Sequence, residues 1–410
     1  MSSPATGVAI IGAGLSGLTL ALALHRQNIP CVLYESREAS LDIGGAIMLS
    51  PNALKILDAL GVYKNISPLG HNFEKLYFHS DDDKPVDDFV FGSQEKHGYK
   101  ALRIYRFELI NVLVSMVREA GIPVEYQKKF DHIVSESSTS VTWAFADGST
   151  ASAKLLVGAD GIHSRVRKHL YPDLTPKFTN MIGVTAAVPR AQLQADPNYP
   201  LPVTIMSPKH GAFVIAPQRA DGSEVFIGKP KLLQHEHDRA GWDELLNNKA
   251  WCIDFLREGS ADFPPIVANA VSNIPLKGIN LWPFYLVPKL DTWAKGRVVI
   301  LGDAAHAIPP TAGQGVNQAF EDVYTFAGIV AKVQQQKPSD DEKEDAARIG
   351  KALKNWQQGR QARVDRVLGL NDRVNKRRLP DAVKAGVFEP FDLDWLYDVD
   401  FDKMIAEWAA

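Results

Sequence analysis

Three glycines near the start of the chain, Gly12, Gly14 and Gly17, have the spacing of a turn that receives a diphosphate. They follow the apolar run 8–11 and open the apolar stretch 18–24, which predicts a strand, a tight turn and a helix. Gly12 would permit the turn, Gly14 would let a pyrophosphate approach the backbone, and Gly17 would let the helix pack close to its strand.

Glu35 closes the second apolar run, 31–34, where the ribose of a bound nucleotide would lie. Its carboxylate would accept hydrogen bonds from ribose hydroxyls, and its charge would disfavour a 2′-phosphate. The amides and dipole of the helix after the glycine turn would hold the diphosphate. We therefore predict a dinucleotide site completed by Ala13, Leu15 and Arg37; a glycine-rich turn without a ligand is the alternative.

Further acids and glycines follow strand-like runs later in the chain. Asp303 ends the apolar run 297–302, where it could accept a hydrogen bond from a ligand hydroxyl or cap a helix. The segment 313–317 places bare backbone amides at the start of a predicted helix, so it could stabilise negative charge on a ligand or form a plain loop. Asp160 is consistent with a ligand contact and with a turn residue that binds its own backbone.

Other polar residues are predicted to be structural. His306 follows two alanines, and no neighbouring ligands have metal spacing, so we predict a structural histidine and no metal site. Arg360, Arg363 and Arg366 lie on a predicted long helix, 346–373, and are expected to form a solvated or packing face.

The composition excludes several classes of protein. With 45% hydrophobic and 23% charged residues and a net charge of −3, the 410-residue chain gives no reason to expect nucleic acid or an anionic membrane as partner. Two cysteines, Cys31 and Cys252, are too few for a disulfide framework and are expected to be packing residues. No stretch is apolar and long enough to span a bilayer, so a cytoplasmic protein of about two domains is expected.

The motifs together resemble those of the class A flavoprotein monooxygenases of the para-hydroxybenzoate hydroxylase type, along nearly the whole chain. The glycine turn with Glu35 would hold the ADP half of FAD. The segment 158–161, Gly-Ala-Asp-Gly, is similar to the DG motif of that family, and 302–317 is similar to its flavin-side motif. Arg106 is similar to an arginine that lies near FAD in the family.

The resemblance implies a mixed α/β fold, in which a Rossmann-like, GR2-type FAD-binding fold is interleaved with a β-sheet substrate domain and followed by a long C-terminal helix. The expected divisions are a discontinuous FAD-binding domain (1–70, 100–170 and 280–335), a substrate domain (71–99 and 171–279) and a C-terminal helical segment (336–410). The expected cofactor-binding residues are Gly12, Ala13, Gly14, Leu15, Gly17, Glu35, Arg37, Gly45, Ala46, Arg106, Asp160, Asp303, Pro310, Gly313, Gly315, Val316 and Asn317.

The resemblance also implies the reaction. NADPH or NADH would reduce FAD, O2 would add to the reduced flavin to give a C4a-hydroperoxide, and the distal oxygen would pass to the substrate. Because the chain has a single dinucleotide-type glycine motif, the nicotinamide nucleotide would bind transiently. The small loop 44–46 would permit the flavin to move between positions. Protein side chains would mainly exclude water and position the substrate.

The substrate pocket is expected to form from the β-rich middle of the chain and the flavin-side loop. The candidates are Met206, His210, Phe213, Phe226 and Thr311, each of which is also consistent with core or surface. His210 could deprotonate a phenol, because the ordinary pKa of histidine is near neutrality. No other catalytic side chain is assigned.

The expected substrate is an aromatic or polycyclic phenol or enol of secondary metabolism, as in fungal members of the family. The run 202–228 is also similar to the tetracycline-inactivating monooxygenases, which makes an antibiotic-inactivating enzyme an alternative. A non-catalytic binding protein, like the GDP-dissociation inhibitors of small GTPases, is a second alternative. The intact cluster 303–317 argues against it.

Overall fold

A computed structural model of the chain describes residues 6–39, 45–336, 342–377 and 391–410. The strands are β1 (Thr6–Ile11), β2 (Cys31–Tyr34), β3 (Ala46–Leu49), β4 (His71–Phe73), β5 (Lys75–Ser80), β6 (Pro85–Val90), β7 (Ala101–Tyr105), β8 (Val124–Glu125), β9 (Phe130–Glu136), β10 (Val141–Phe145), β11 (Thr150–Gly158), β12 (Lys177–Pro189), β13 (Val203–Ser207), β14 (Gly211–Pro217), β15 (Glu224–Leu232), β16 (Asn280–Leu286), β17 (Ala294–Lys295) and β18 (Val298–Ile300). The α-helices are α1 (Leu15–Arg26), α2 (Pro51–Ala59), α3 (Tyr63–Ile66), α4 (Gln94–His97), α5 (Arg106–Glu119), α6 (Arg165–Leu170), α7 (Arg239–Asn247), α8 (Lys249–Arg257), α9 (Pro265–Ala270), α10 (Asp303–His306), α11 (Gly315–Gln335), α12 (Glu342–Arg377), α13 (Asp394–Tyr397) and α14 (Phe401–Trp408).

The first sheet is built on the parallel strands β18, β11, β1, β2 and β8, in that order. Val8, Ala9 and Ile10 of the central strand β1 are fully buried. A continuous apolar run of this kind is typical of a parallel strand that is covered on both faces. The hairpin of β9 and β10 extends the sheet through an antiparallel pairing of β10 with β11. The predicted order of strand, glycine turn, helix α1 and strand β2 is confirmed, and with it the mixed α/β fold.

The second sheet has seven strands in the order β16, β12, β15, β14, β13, β5 and β6. Alternate residues of its strands, such as Phe213 and Ile227, pack with Cys252 and Leu256 of α8 in a separate apolar core. The opposite face is turned toward the first sheet and its loops, because Met206 of β13 belongs to the core of that part of the chain. We call the two sides the outer face and the inner face. The polar stretch 79–88 contains the turn between β5 and β6, which form the edge hairpin of this sheet.

A third, three-stranded sheet consists of β3, β7 and β4, with β7 in the centre. The pairing places Met48 and His71 on either side of Arg103, so these three residues share one face. Leu102 and Ile104 point to the other face and are fully buried in the first core. The strand β7 leads directly into α5, whose first residue is Arg106.

Helix α11 packs against α1, α2 and the long helix α12. The predicted long helix, 346–373, lies within α12.

Cys31 and Cys252 are both buried and free, which confirms a packing role. Burial also raises the pKa of the Cys31 thiol to about 12. Within the described ranges, the structure contains no helix with the length and apolarity that a membrane crossing requires. The cytoplasmic location stays a prediction.

Candidate active site

The three glycines of the first turn meet three different environments. Gly12 has φ +103°, a backbone conformation that favours glycine, and a Cβ there would lie 2.6 Å from the carbonyl oxygen of Ala159. A Cβ on Gly17 would lie 1.9 Å from the carbonyl oxygen of Gly12, so the helix could not pack this closely with any other residue. A Cβ on Gly14 would meet no described atom within 4 Å. The turn therefore has one open glycine, at the start of α1, where a phosphate group can approach the backbone.

The carboxylate of Glu35 lies directly beside this turn. Its Oε2 accepts a hydrogen bond of 2.9 Å from the backbone amide of Ala13, and its Oε1 accepts one of 3.0 Å from the amide of Arg37. Glu35 is almost completely buried, whereas the side chain of Arg37 is exposed. The turn and the end of β2 are thereby fixed to each other, with an acidic group at the carboxyl edge of the sheet.

Asp160 binds the helix that follows it. Its carboxylate accepts hydrogen bonds from the amides of Arg165, at 2.7 Å, and Val166, at 3.2 Å, and from the hydroxyl of Ser164, at 2.5 Å. Burial raises the pKa of Asp160, although these hydrogen bonds favour the charged form. Of the two readings that the sequence left open, the structure shows the turn residue that binds its own backbone.

Arg167 joins this loop to the segment that begins at Asp303. Its guanidinium donates to the carbonyl oxygens of Asp303, at 3.4 Å, and Ala304, at 2.9 Å. The carboxylate of Asp303, the first residue of α10, is partly exposed and accepts no hydrogen bond from a described residue. The link from Arg167 to Asp303 and Ala304 was not predicted, because these two partners lie more than a hundred positions away in the sequence.

Asn317 organises the glycine loop before α11. Its side-chain amide donates to the carbonyl oxygens of Met48, at 3.0 Å, and Gly313, at 2.7 Å, and its Oδ1 accepts from the amide of Ser50, at 3.0 Å. The side chain is fully buried, so it positions two loops and leaves only its backbone amide for a ligand. The hydroxyl of Ser50, the residue before α2, donates to Asn52 at 2.6 Å and makes no capping hydrogen bond to that helix.

A buried ionic cluster lies behind the glycine loop, and it corrects the prediction for the arginines of α12. Arg360 is fully buried and donates from Nε to Asp322 at 2.7 Å, and it also pairs with Glu321. Arg363 pairs with Glu321 at 2.6 Å. Of the two expected alternatives, a solvated face is therefore wrong for Arg360 and a packing face is right, with the addition that α11 presents two buried carboxylates to it. The predicted structural role of His306 is confirmed, because its Nε2 lies 2.6 Å from Asp322.

The inner face of the seven-stranded sheet lies against the three-stranded sheet. The hydroxyl of Tyr105 donates to Glu224 and accepts from Gln218 at 2.9 Å, and the guanidinium of Arg103 lies 4.9 Å from the centre of the Phe226 ring. On this face Thr185, Val214 and Phe226 are only partly buried. Gly228 and Gly183 have no side chains, and aromatic rings take that space: the ring of Phe226 packs over Gly228 and the ring of Phe284 over Gly183.

Three of the five pocket candidates are corrected by their positions. Phe213 is fully buried on the outer face, in the core with α8, so it cannot line a cavity on the inner face. The ring of His210 packs over Gly259, and its Nε2 lies 2.6 Å from Asp262, also on the outer side. Met206 is on the inner face but fully covered by core residues.

Phe226 lies on the inner face, and Thr311 lies in the flavin-side loop; as pocket residues both stay predictions. Thr311 is partly exposed in the loop that ends at Gly313, and a Cβ on Gly313 would lie 3.5 Å from the Cε of Met48. Pro310 is exposed in the same loop. The side chain of Arg103, which lies between Met48 and Phe226, was not among the predicted residues. Its signal in the sequence was a charged residue inside a buried strand.

The open glycine of the first turn, the acid beside it and the helix N-terminus fit the ADP part of FAD, and the loops around Asn317 fit its flavin end. The fold and the site thus define a flavoprotein of the dinucleotide-binding α/β class. Residues 5–352 match the model of the FAD-binding domain family, and the chain belongs to that family.

The relatives are flavin-dependent monooxygenases. Hispidin-3-hydroxylase of Neonothopanus nambi is 30% identical over 345 residues, which cover 79% of this chain and 80% of the relative. A 3-amino-4-hydroxybenzoate 2-monooxygenase of Streptomyces cremeus is 28% identical over 326 residues, 79% of this chain and 78% of the relative. The solved structure of a salicylate hydroxylase substrate complex has a TM-score of 0.78 at 23% identity and covers 99% of this chain and 98% of that one. The chain is an FAD-dependent monooxygenase, and the non-catalytic alternative is set aside.

Proposed function

We propose that this monooxygenase oxygenates an aromatic or polycyclic phenol or enol that binds between the three-stranded sheet and the inner face of the seven-stranded sheet. The observation that carries the proposal is the partly buried apolar patch around Phe226, which lies across from the face of Met48 and Arg103. An apolar cleft with a few polar groups is typical of a small-molecule site. The names of the relatives, a hispidin hydroxylase and an aminohydroxybenzoate monooxygenase, support an aromatic substrate.

The cofactor would bind along the carboxyl edge of the first sheet. When reduced by a nicotinamide nucleotide, FAD supplies the activation of O2. We propose that the residues in contact with it are Gly12, Ala13, Gly14, Leu15, Gly17, Glu35, Arg37, Gly45, Ala46, Arg106, Asp160, Asp303, Pro310, Gly313, Gly315, Val316 and Asn317. Asn317 would contact the cofactor through its backbone, and Asp160 would also hold the helix that follows it, because both side chains already bind protein groups.

The chain's own residues would keep water out and hold the substrate. The Tyr105 hydroxyl, bonded to both Glu224 and Gln218, closes one end of the cleft with a satisfied polar group. Phe226 and Met48 would cover the ring of the substrate with apolar surface. Exclusion of water matters because an activated oxygen that meets water is lost as peroxide.

The domain division also stays a proposal. We propose that 1–70, 100–170 and 280–335 act as the FAD-binding unit, that 71–99 and 171–279 bind the substrate, and that 336–410 support both. The pairing of Arg360 with Asp322 supports the last point, because it connects α12 to the helix that begins at the flavin-side loop. A role in secondary metabolism is proposed from the fungal monooxygenase of Hypocrea jecorina, 26% identical over 431 residues.

The proposal is tested with the purified protein. We expect it to be yellow, to release FAD on denaturation, and to oxidise NADPH slowly until a phenolic or enolic aromatic compound accelerates the reaction. Mass spectrometry with labelled O2 then distinguishes oxygen in the product from oxygen in peroxide. A colourless protein that takes up no FAD would overturn the proposal of an FAD-dependent monooxygenase. If a compound accelerates NADPH oxidation but all the oxygen ends in peroxide, that compound is not a substrate.

A further inference from the structure

Among the described residues, Arg103 is a buried cation with no hydrogen-bonding or acidic side-chain partner. It lies in the middle of β7, only 5% of its surface is exposed, and its Nε is sealed from solvent with no hydrogen-bond partner. Within the described ranges, no hydrogen bond or ion pair reaches its guanidinium. The guanidinium instead makes a cation–π contact with Phe226, 4.9 Å from the centre of the ring. A buried charge in this condition is costly, because it has lost water and gained no anion.

The contrast with Arg360 shows how the same chain satisfies a buried guanidinium. Arg360 is equally buried and binds Asp322, Glu321 and Gln318. In the part of the chain that the structure describes, no acid pairs with Arg103 in this way. Glu224, at the end of the cleft where Tyr105 lies, already accepts from the Tyr105 hydroxyl.

The groups that surround Arg103 make the cleft electropositive. Burial lowers the pKa of Arg103 to about 10, so the side chain is still charged at neutral pH. Burial together with the charges of Arg190 and Arg103 lowers the pKa of His71, which is therefore neutral under the same conditions. An anion that enters here meets the positive charges of Arg103 and Arg190, while the carboxylate of Glu224 in the same cleft is bonded to Tyr105.

The position of Arg103 places this charge inside the proposed substrate cleft. Met48 is its direct partner in the sheet, and the Cε of Met48 lies 3.5 Å from where a Cβ of Gly313 would be. Phe226 lies on its other side, on the inner face of the seven-stranded sheet. The guanidinium therefore stands between the flavin-side loop and the aromatic wall of the cleft.

We propose that Arg103 binds an anionic oxygen of the substrate, either a carboxylate or an ionised hydroxyl, while the substrate's ring lies against Phe226. The inference rests on the proposed function, since it assigns the charge of the molecule that enters that cleft. A guanidinium suits this task because its planar fork can donate two parallel hydrogen bonds to one anion.

The first test measures ligand binding to the FAD-loaded protein. The change in the flavin absorption spectrum on addition of the ligand reports binding. Three probes are used. 4-Hydroxybenzoate carries a carboxylate and a phenolic hydroxyl, benzoate carries only the carboxylate, and 4-hydroxybenzamide carries only the phenolic hydroxyl. We expect 4-hydroxybenzoate to bind about 10- to 100-fold more weakly to Arg103→Gln than to the wild type, the range of a charge-assisted hydrogen bond. Arg190→Gln is the control, because it removes a nearby charge that does not contact Phe226.

The probes separate the two sources of the anion. If Arg103 binds the carboxylate, the Arg103→Gln variant loses affinity for benzoate but not for 4-hydroxybenzamide. If Arg103 binds the ionised hydroxyl, the variant loses affinity for 4-hydroxybenzamide at alkaline pH. Equal loss in Arg103→Gln and Arg190→Gln, or no loss in either, overturns the inference. A yellow, NADPH-oxidising wild type that binds none of the three probes also overturns it and leaves the proposed function intact.

A second test needs no ligand. An unpaired buried charge does not stabilise the fold, so Arg103→Met is expected to leave the melting temperature of the FAD-loaded, substrate-free protein unchanged or higher. Arg103→Met that melts clearly below the wild type would show that Arg103 is a structural residue, and would overturn its role as the substrate's anion site.

Discussion

The guanidinium of Arg360 donates from its Nε to the Oδ1 of Asp322 at 2.7 Å, and Oδ2 of the same carboxylate accepts from the amide of Gly302 at 2.8 Å. One buried carboxylate thus connects α12 to the turn that precedes Asp303. Burial alone would raise the pKa of Asp322, but His306 and Arg360 hold it below its usual range. The acid is ionised, and the cluster positions the loop at which the flavin end of the cofactor would bind.

Replacement of Arg360 by methionine should destabilise the protein strongly. The change leaves Asp322 and Glu321 buried without their main counter-ion, which costs about 3–5 kcal/mol in comparable buried pairs. Thermal unfolding followed by circular dichroism, together with FAD content after gel filtration, measures the effect. Arg366→Ala is the matched control, because Arg366 is exposed on the same helix and lies over the ring of Trp395, at 3.9 Å; we expect about 1 kcal/mol or less there. Similar losses in both variants would contradict the role of the cluster.

The same cluster predicts a loss of stability in acid. The pKa values of Glu321 and Asp322 are lower in the folded protein than in the unfolded chain, so the unfolded chain binds more protons. The stabilisation is therefore complete above the unfolded pKa, about 4, and is lost as the pH falls through the lower folded values. Melting temperatures measured from neutral pH down to about pH 3 should fall below about pH 4. The fall should be shallower in Arg360→Met, and parallel curves for the two proteins would exclude this origin.

The glycine turn was predicted correctly from the sequence because the contacts that define it lie between residues that are close in the sequence. Gly12, Gly17 and Glu35 act on neighbours within one strand–helix–strand unit, and the structure shows the crowding and the open position that their spacing predicts. The partners of Arg360 could not be found in this way. Helical spacing gives the face on which a residue lies, but it does not show that α11 will present Asp322 to that face, 38 positions away.

The error over Phe213 has a related cause. The inner and outer faces of the seven-stranded sheet are both covered, so apolar residues occur on both and their alternation does not indicate which face meets the cleft. Phe213 and Phe226 are of the same type, yet the first packs with α8 and the second contacts Arg103. Only the arrangement of the helices behind the sheet separates them, and that arrangement is tertiary.

His210→Ala should leave the pH dependence of the reaction unchanged. The imidazole lies on the outer side of the sheet, bonded to Asp262, and cannot reach a phenol in the cleft. The measurement is the rate of NADPH oxidation, stimulated by an aromatic compound, across the neutral range. A shifted or lost limb in the pH profile would restore His210 as the general base, provided that the variant keeps its FAD and its melting temperature.

Gly45→Val should slow the reduction of the bound flavin. Gly44 of the predicted loop lies outside the described residues, but a Cβ on Gly45 would meet no described atom within 4 Å, so the side chain would enter open space beside β3. A branched side chain there would obstruct a flavin that moves. Anaerobic stopped-flow loss of flavin absorbance after mixing with NADPH measures the rate, and Gly45→Ala is the control with a smaller expected effect. Equal rates in the wild type and both variants, at equal FAD content, would remove the loop from the reduction step.

Alanine at Gly14 and alanine at Gly17 should separate cofactor binding from folding. The new methyl group at position 17 would overlap the carbonyl oxygen of Gly12, so α1 must move away from β1, and we expect a lower melting temperature even for protein stripped of FAD. At position 14 the methyl group meets no described atom, and the backbone there, with φ −82°, accepts an L-residue without strain. The stripped Gly14→Ala protein should therefore melt like the stripped wild type but bind FAD more weakly, because the methyl group occupies the space where a phosphate approaches the amides. Fluorescence titration of the stripped proteins with FAD measures the second effect. If Gly14→Ala binds FAD as tightly as the wild type, the diphosphate does not lie over this turn.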